Sequence, residues 1–415
     1  MQNQLMLLFN AALAAAMPDG KFTPHLPKPP KGRTLVLGAG KASARMARAF
    51  EAEWLAKHPS APLEGLVVTR YGHACPTQHI EIIEAAHPVP DQNGFDTAAR
   101  ILEIASSAGP DDLVVFLISG GASSLLSLPA TGVSFAEKQS INKALLKSGA
   151  PIGAMNKVRK SLSQIKGGKL AAAAAKAELI TFLISDVPGD DASAIGSGPT
   201  IAEAVSPEEI FQILKRYHID ISNNIRAVIQ ANICPPPAPR HQIHMLATPQ
   251  MALEAAAAEA RKLGLNPVIL SDCIEGEARE VAKVFAGIAQ SQRQNPTLAQ
   301  KPMVLLSGGE TSVTVRGSGR GGRNAEFLLS FMAQTGDLSR ISAIACDTDG
   351  IDGMEDNAGA WVDESLFALP AFATMKAADY LANNDAYSFF QALGALVMTG
   401  PTLTNVNDFR AIIIE

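Results

Sequence analysis

Three stretches of this chain carry residue types, at close spacing, that suit chemistry on an anion. In the first, the apolar run Arg33 to Leu37 enters Gly38-Ala39-Gly40-Lys41, and an alanine-rich helical pattern runs on from Ala42 to Leu55. A strand–turn–helix of this kind aims backbone amides at an anion, and Lys41 puts a cation at the turn itself. The second stretch begins with the buried-type strand Met303 to Leu306 and continues as Ser307-Gly308-Gly309-Glu310-Thr311. Gly317-Ser318-Gly319-Arg320-Gly321-Gly322 follows, and Arg323-Asn324-Ala325-Glu326 opens a helical pattern. Four glycines in six residues free the backbone of Cβ atoms, so its amides are expected to converge on an anion at that helix N-terminus. Arg320 and Arg323 add planar forks that match phosphate or carboxylate oxygens. The third is Ser185-Asp186-Val187-Pro188-Gly189-Asp190-Asp191, at the end of an apolar strand. Carboxylates so close repel unless a cation sits among them, which marks Asp186 and Asp190 as candidates for a magnesium site or a proton acceptor.

Other turns echo these. Ser119-Gly120-Gly121-Ala122-Ser123-Ser124 follows the strand Asp112 to Ile118 and resembles Ser307-Gly308-Gly309; Gly196-Ser197-Gly198 lies beyond the acidic turn. The plainer reading of each is a glycine that lets strand and helix pack closely. Recurrence of the pattern after separate strands favours a shared ligand role. His87, before a proline in a loop, is a weaker candidate. A cationic run (Asn156 to Lys160, then Lys166-Gly167-Gly168-Lys169) reads first as a solvated helix face, with a functional option where the glycines interrupt it. Asp347-Thr348-Asp349-Gly350-Ile351-Asp352-Gly353 looks like a calcium loop, but Ala358 stands where the closing glutamate belongs. A small acidic turn is the better reading.

The elements needed to hold these turns alternate strand and helix, as in layered α/β folds. At 415 residues, two domains are expected. The stiff segment Cys234-Pro235-Pro236-Pro237-Ala238-Pro239 is the expected linker, dividing the chain into 1–236 and 237–415. Long helices are expected over 134–175 and 375–393, and a strand–helix alternation over 243–290. With 47% apolar and 18% charged residues the composition is that of a globular enzyme. A net charge of −5 gives no support for nucleic-acid binding. The 4 scattered cysteines suit a reducing cytoplasm, the apolar N-terminus reads as an opening helix, and no apolar run is long enough to span a membrane.

Taken together and in order, Gly-Ala-Gly-Lys41, Ser119-Gly-Gly-Ala-Ser123, Ser185-Asp-Val-Pro-Gly-Asp190, Ser307-Gly-Gly-Glu-Thr311, Gly-Gly-Arg323-Asn324-Ala-Glu326 and Asp347-Thr-Asp349-Gly-Ile-Asp-Gly353 resemble the glycerate 2-kinase family, over nearly the whole chain. The resemblance implies a Rossmann-like parallel-sheet N-terminal α/β domain and a smaller C-terminal α/β domain containing the MOFRL region (about 300–412), with the active site in the cleft between them. It implies ATP and a divalent metal such as Mg2+, and transfer of the γ-phosphoryl group to the 2-hydroxyl of D-glycerate. It ties Lys41 and Arg323 to catalysis and carries the other turns over as ligand contacts. Those contacts are Gly38, Gly40, Ser119, Gly120, Gly121 and Ser123, then Gly196 and Ser197. In the second half they are Ser307, Gly308, Gly309, Glu310 and Thr311, with Arg320, Gly322, Asn324, Glu326, Asp349 and Asn405. Asp186 is kept as a catalytic carboxylate, and Asp190 with it as a metal ligand. Partners are small molecules, with a homodimer as the expected assembly.

Two other functions compete. Members of the family have often carried the label hydroxypyruvate reductase, and Gly38-x-Gly40 after a strand is part of a dinucleotide fingerprint. Ser43 replaces its third glycine, and Thr69-Arg70 stands where an acidic residue for the ribose is expected, an arrangement that leaves NADP open. A non-catalytic sugar-phosphate-binding protein is the third reading, since Ser-Gly-Gly turns suit such ligands.

Overall fold

The computed structural model describes residues 2–415. Two compact units divide the chain: Pro18–Leu246 is one, and Ala247–Glu415 joins the N-terminal residues up to Met17 in the other. The chain opens with helix α1 (Gln2–Ala16), which buries Leu5, Leu8, Phe9, Ala12 and Ala16. That stripe follows the 3.6-residue period, and Phe9 meets Phe409 at 5.8 Å between ring centroids.

The Pro18–Leu246 unit holds strands β1 (Thr34–Ala39), β2 (Leu63–Arg70), β3 (Ile80–Ala85), β4 (Leu113–Ser119), β5 (Glu178–Ile184) and β6 (His241–Ala247), in the order β3-β2-β1-β4-β5-β6. β1 to β5 pair in parallel. β1, β4 and the apolar part of β5 are buried on both faces, as their unbroken apolar runs predict. The strand order reverses between β1 and β4, and in open α/β sheets ligands bind at that switch, outside the carboxyl ends of the strands. Helix α2 (Ser43–Lys57) follows β1, α3 (Gln92–Ser106) follows β3, and the short α4 (Ala122–Leu125) follows β4. The helix expected over 134–175 is three pieces: α5 (Phe135–Lys147), α6 (Ile152–Ser161) and α7 (Lys169–Ala173). Pro151 and the left-handed pair Gly167 and Gly168 break it. α8 (Pro207–Arg216) and α9 (Asn223–Ala231) pack with α5 and α6 around a small apolar core of their own.

The proline-rich segment does not end the first sheet, contrary to the expected boundary at 236. The Leu179 amide donates to the Arg240 carbonyl at 2.8 Å, and β6 becomes the edge strand beside β5. Beyond it lie α10 (Pro249–Lys262), β7 (Asn266–Glu277), α11 (Ala278–Gln294), β8 (Met303–Ser312) and α12 (Arg323–Thr335). β7 runs through Glu277, so the expected helix 275–290 starts three residues later. β9 (Ile341–Asp347), β10 (Gly359–Val362), β11 (Leu396–Val397) and β12 (Asp408–Ile414) complete a mixed sheet in the order β11-β10-β9-β12-β8-β7. β12 lies antiparallel between β8 and β9. The helix expected over 375–393 is also broken, at Asn383–Asp385, into α13 (Ala377–Ala382) and α14 (Ala386–Ala392). Among the described residues, no helix is long and apolar enough to cross a membrane.

Candidate active site

The carboxyl ends of β1, β4 and β5 bring together the turns singled out in the first half of the sequence. The Lys41 amide donates to the Gly120 carbonyl at 2.8 Å, tying the β1 turn to the β4 turn. Ser119, fully buried, accepts from the Ala42 amide at 3.0 Å and so satisfies one of the amides at the entry to α2. The Ser43 hydroxyl reaches the carbonyls of Gly40 at 2.7 Å and Val68 at 2.8 Å. It fills the place that a third fingerprint glycine would leave open. Gly38 is a packing position: a Cβ on it would run into the Leu117 carbonyl of β4. Gly40 is similarly closed off by Ser119, whereas Gly121, at φ 82°, faces Lys41 and the His87 ring. Ser123 meets Ser197 at 3.0 Å between hydroxyl oxygens, and Gly196 packs on Ala122.

Gly120 has a different neighbour. A Cβ there would overlap the Asp186 carboxylate, so the glycine is what allows that carboxylate to stand over the β4 turn. Gly120→Ala must displace Asp186 while leaving the strand in place. Activity is expected to fall at least about tenfold, while the unfolding free energy changes by roughly 1–3 kcal/mol, the usual cost of overpacking. Unchanged kcat with the predicted loss of stability would mean that the position of Asp186 does not matter to the reaction.

Asp190 sits in the same acidic turn at φ 54°, and Asp191 folds back to accept from the Ser193 amide at 2.8 Å. Among the described residues no group of three or more His, Cys, Asp or Glu side chains is arranged to hold a metal. Magnesium seldom needs such a group, since one or two carboxylates with substrate phosphates usually suffice. Asp186 and Asp190 fit that smaller donor set.

In the other unit the outcome differs from expectation. The amides of Asn324 and Ala325, at the N-terminus of α12, donate to Asp352 at 2.9 and 2.8 Å. The anion awaited at this helix end is therefore a side chain of the protein. The glycines before it are packing positions: Gly317 and Gly319 lie against Asn383 and Asp385, and Gly322 against Asp352. Amides of the loop are also taken: those of Arg316 and Gly317 donate to Asn384, that of Ser318 to Asn383, and that of Arg320 to Asp385. The open anion cradle read from this glycine loop is corrected to a rigid, internally bonded turn.

That turn holds Arg323. Its Nε donates to Asp408 at 2.6 Å, one terminal nitrogen to Glu310 at 2.9 Å and the other to Asp347 at 2.7 Å. Burial works against its charge, but Asp408, Asp347 and Glu310 outweigh it and raise the guanidinium pKa well above its ordinary value. Asp408, wholly buried, also accepts from Arg410 at 2.5 Å, Asn324 at 2.9 Å and the Thr311 amide at 3.1 Å. Burial pushes its carboxyl up, and the Arg323 and Arg410 guanidiniums more than reverse that.

The other positions expected in this unit are mostly interior. Ser307, Asn324, Asn405 and Asp349 are buried; Glu326, also buried, pairs with Arg279 and accepts from Asn384 at 2.9 Å. Gly308 and Gly309 lie within β8, with Gly309 hard against Ile274 of β7. Arg320 is exposed, pairs with Glu355 and lies 4.0 Å from the Tyr387 ring centroid. Asp352, Asp408 and Arg410 join the cluster without belonging to the candidate set that the sequence motifs supply. Alternation along β12 puts Asp408 and Arg410 on one face, and that pairing was their available signal.

Comparison with known proteins agrees with this architecture. Residues 4–230 match the family described as "Domain of unknown function (DUF4147)", and residues 303–408 match the MOFRL family. A protein of Agrobacterium vitis provisionally named a hydroxypyruvate reductase is 50% identical over 99% of this chain and 94% of its own length. The D-glycerate 2-kinase of Thermotoga maritima is 39% identical, over 96% of this chain and 94% of its own. A crystal structure of glycerate kinase from Thermotoga maritima superposes with a TM-score of 0.90 at 36% identity, covering 100% of both chains. With a parallel-sheet unit, a MOFRL unit and relatives this similar along their full length, the chain belongs to the glycerate 2-kinase family.

Proposed function

We propose that this protein is an ATP-dependent kinase that phosphorylates the 2-hydroxyl of D-glycerate, giving 2-phosphoglycerate, in the cytoplasm. The observation that supports it best is the cluster at the switch between β1 and β4, where Lys41 is anchored to Gly120 and the Asp186 carboxylate stands over the same turn. Phosphoryl transfer asks little covalent help of a protein; it needs alignment and positive charge around the equatorial oxygens. Lys41 supplies a cation on a short, fixed turn. Asp186 and Asp190 are the side chains that would hold magnesium, which when bound neutralises charge on the phosphoryl oxygens. Whichever of the two is not engaged by the metal takes the proton of the attacking hydroxyl.

The buried Ser43 also weighs against hydride transfer, since it bonds the turn carbonyls where a dinucleotide pyrophosphate needs an open glycine. The direct test is to incubate the protein with ATP, Mg2+ and D-glycerate and locate the phosphate by NMR. Coupling of phosphorus to the C2 methine is expected; a C3 phosphate, or NADPH oxidation with hydroxypyruvate in place of ATP use, would overturn the reading. Lys41→Met, which keeps the side-chain length and removes the charge, is expected to lower kcat about 10²-fold, the scale of one lost electrostatic contact to the transition state. A loss below threefold would remove Lys41 from that role.

A further inference from the structure

Beside the turns just described lies a cleft of about 680 Å³, bounded entirely by residues of the Pro18–Leu246 unit. Its floor is basic. Lys138 of α5 is 3% exposed and Lys166 of the turn before α7 is 4% exposed, and Arg159 of α6 also lines the cleft. None of the three has a carboxylate partner among the described residues. Lys166 donates to the carbonyl and hydroxyl of Ser123 at 2.6 and 2.7 Å; Lys138 reaches only the Ser127 hydroxyl, at 3.4 Å; and Arg159 meets Asn156 at 3.3 Å. Lys160, by contrast, is paired with Glu203, and Lys157 with Glu209. The unit thus neutralises the cations on one side of α6 and leaves those facing the cleft uncompensated.

That arrangement is costly. A buried ammonium without a counter-ion is destabilising, and proteins usually neutralise or pair such groups. Burial, with Lys169 adding repulsion, pushes the Lys138 amine down to about 8; burial, helped by Lys138 and Arg159, holds the Lys166 amine well below its ordinary value. Like charges gathered at the edge of an apolar core are the signature of a site built for an anion. Apolar side chains line the same cleft: Phe135 of α5, Val89 and Leu146, the last two 67% and 66% exposed. A lining that combines buried basic groups with apolar side chains matches a polyphosphate joined to a flat heterocycle. The volume has room for a nucleotide, because sites for drug-sized molecules span roughly 300–1,000 Å³, and a three-carbon acid would fill only part of it.

We propose that this cleft is the nucleoside triphosphate subsite, with Lys166, Lys138 and Arg159 on the phosphate chain and Phe135, Val89 and Leu146 against the base. The assignment rests on the kinase reading but names residues that no glycine-turn motif contains. Its position is consistent with that role: Ser123, which anchors Lys166, is bonded to Ser197, and Gly121 at the cleft edge faces Lys41.

The test uses the full chain and its Lys166→Met and Lys138→Met variants, with ATP and D-glycerate titrated separately by calorimetry. Each variant is expected to weaken ATP binding about 10-fold or more, the scale of a lost charge-assisted contact, and to leave D-glycerate binding within twofold. Each is also expected to melt no lower than wild type, because a buried lysine without a carboxylate partner does not hold the unit together. A merely structural lysine would do the reverse. ATP affinity within twofold of wild type in both variants, or loss of D-glycerate binding with ATP binding kept, would overturn the assignment. The two readings fail separately. Lys166-dependent ATP binding without any 2-phosphoglycerate sinks the kinase and leaves the subsite, whereas an active kinase whose variants keep the ATP KM sinks the subsite alone.

Discussion

Replacing Arg323 by alanine is expected to lower kcat for glycerate phosphorylation by about 10³-fold or more, on the scale of an arginine that stabilises a transferring phosphoryl group. Three of its five N–H groups already donate to Asp408, Glu310 and Asp347, so the planar fork is locked before any ligand arrives. Locking of this kind removes the reorganisation that a mobile arginine would undergo during the reaction. It also makes the substitution a structural one, since truncation leaves Asp347 and Glu310 without their cation and Asp408 with Arg410 alone. Both effects have to be read together. Turnover is therefore measured well below the melting temperature of the variant, and Arg323→Lys is measured beside it. Lysine restores a charge among the three carboxylates but not the fork, so it should recover part of the lost stability and little of the turnover. If Arg323→Ala retains more than a tenth of wild-type kcat, the residue is a structural hub and nothing more. If Arg323→Lys is nearly as active as wild type, the charge is sufficient and the geometry of the guanidinium is idle.

The parts of the molecule that could be read from the chain are those whose causes are local. An apolar run followed by glycines marks β1 and β4 correctly, because a strand buried on both faces needs little information beyond its own residues; for β8 it marks only the start, since the expected turn at Ser307-Gly308-Gly309 continues as strand to Ser312. Lys41, Gly120 and Asp186 meet for the same reason: each ends a neighbouring parallel strand, and pairing in register brings strand ends together. The glycine loop before α12 shows where such reading stops. Its glycines read as a ligand cradle, yet the atoms that exclude a side chain belong to Asp352 and to Asn383–Asp385, about 30 to 66 positions away. No local pattern distinguishes a glycine that admits a phosphate from one that admits another segment of backbone. The same limit hid the basic cleft. Lys138 and Lys166 lie in different elements, and Lys166 comes just before the left-handed pair Gly167 and Gly168, outside any regular helical pattern. The proline segment reads as a domain linker, yet β6 beyond it stays beside β5, because such a segment stiffens the chain without moving it away from the first sheet.

Asp408 governs the second large effect, and it bears on stability. The carboxylate is the one anion shared by Arg323 and Arg410, and it also receives the Thr311 amide and the Asn324 side-chain amide. Asp408→Ala strands Arg410, which is 1% exposed and whose Nε already lacks a partner. Breaking a buried pair by removing one member costs about 3–5 kcal/mol, because the remaining charge is buried alone. For a unit of this size that is a fall in Tm of roughly 10 °C or more. Removing both members is a different experiment: Asp408→Leu with Arg410→Met is expected to regain most of the loss, since apolar groups of similar volume replace a buried pair at little or no cost. The double variant should nevertheless stay poorly active, because Arg323 has lost the anchor of its Nε. The sign with pH follows from the depressed pKa of Asp408. Its contribution is fully present above the ordinary aspartate pKa of about 3.9 and is lost as pH falls through the lower folded value. The stability gap between wild type and Asp408→Asn, measured by denaturant unfolding, should therefore be constant from neutral pH down to about 4 and close in stronger acid. A gap that opened on acidification, or a double variant no more stable than Asp408→Ala, would mean that the pair is not what holds β12 to β8 and α12.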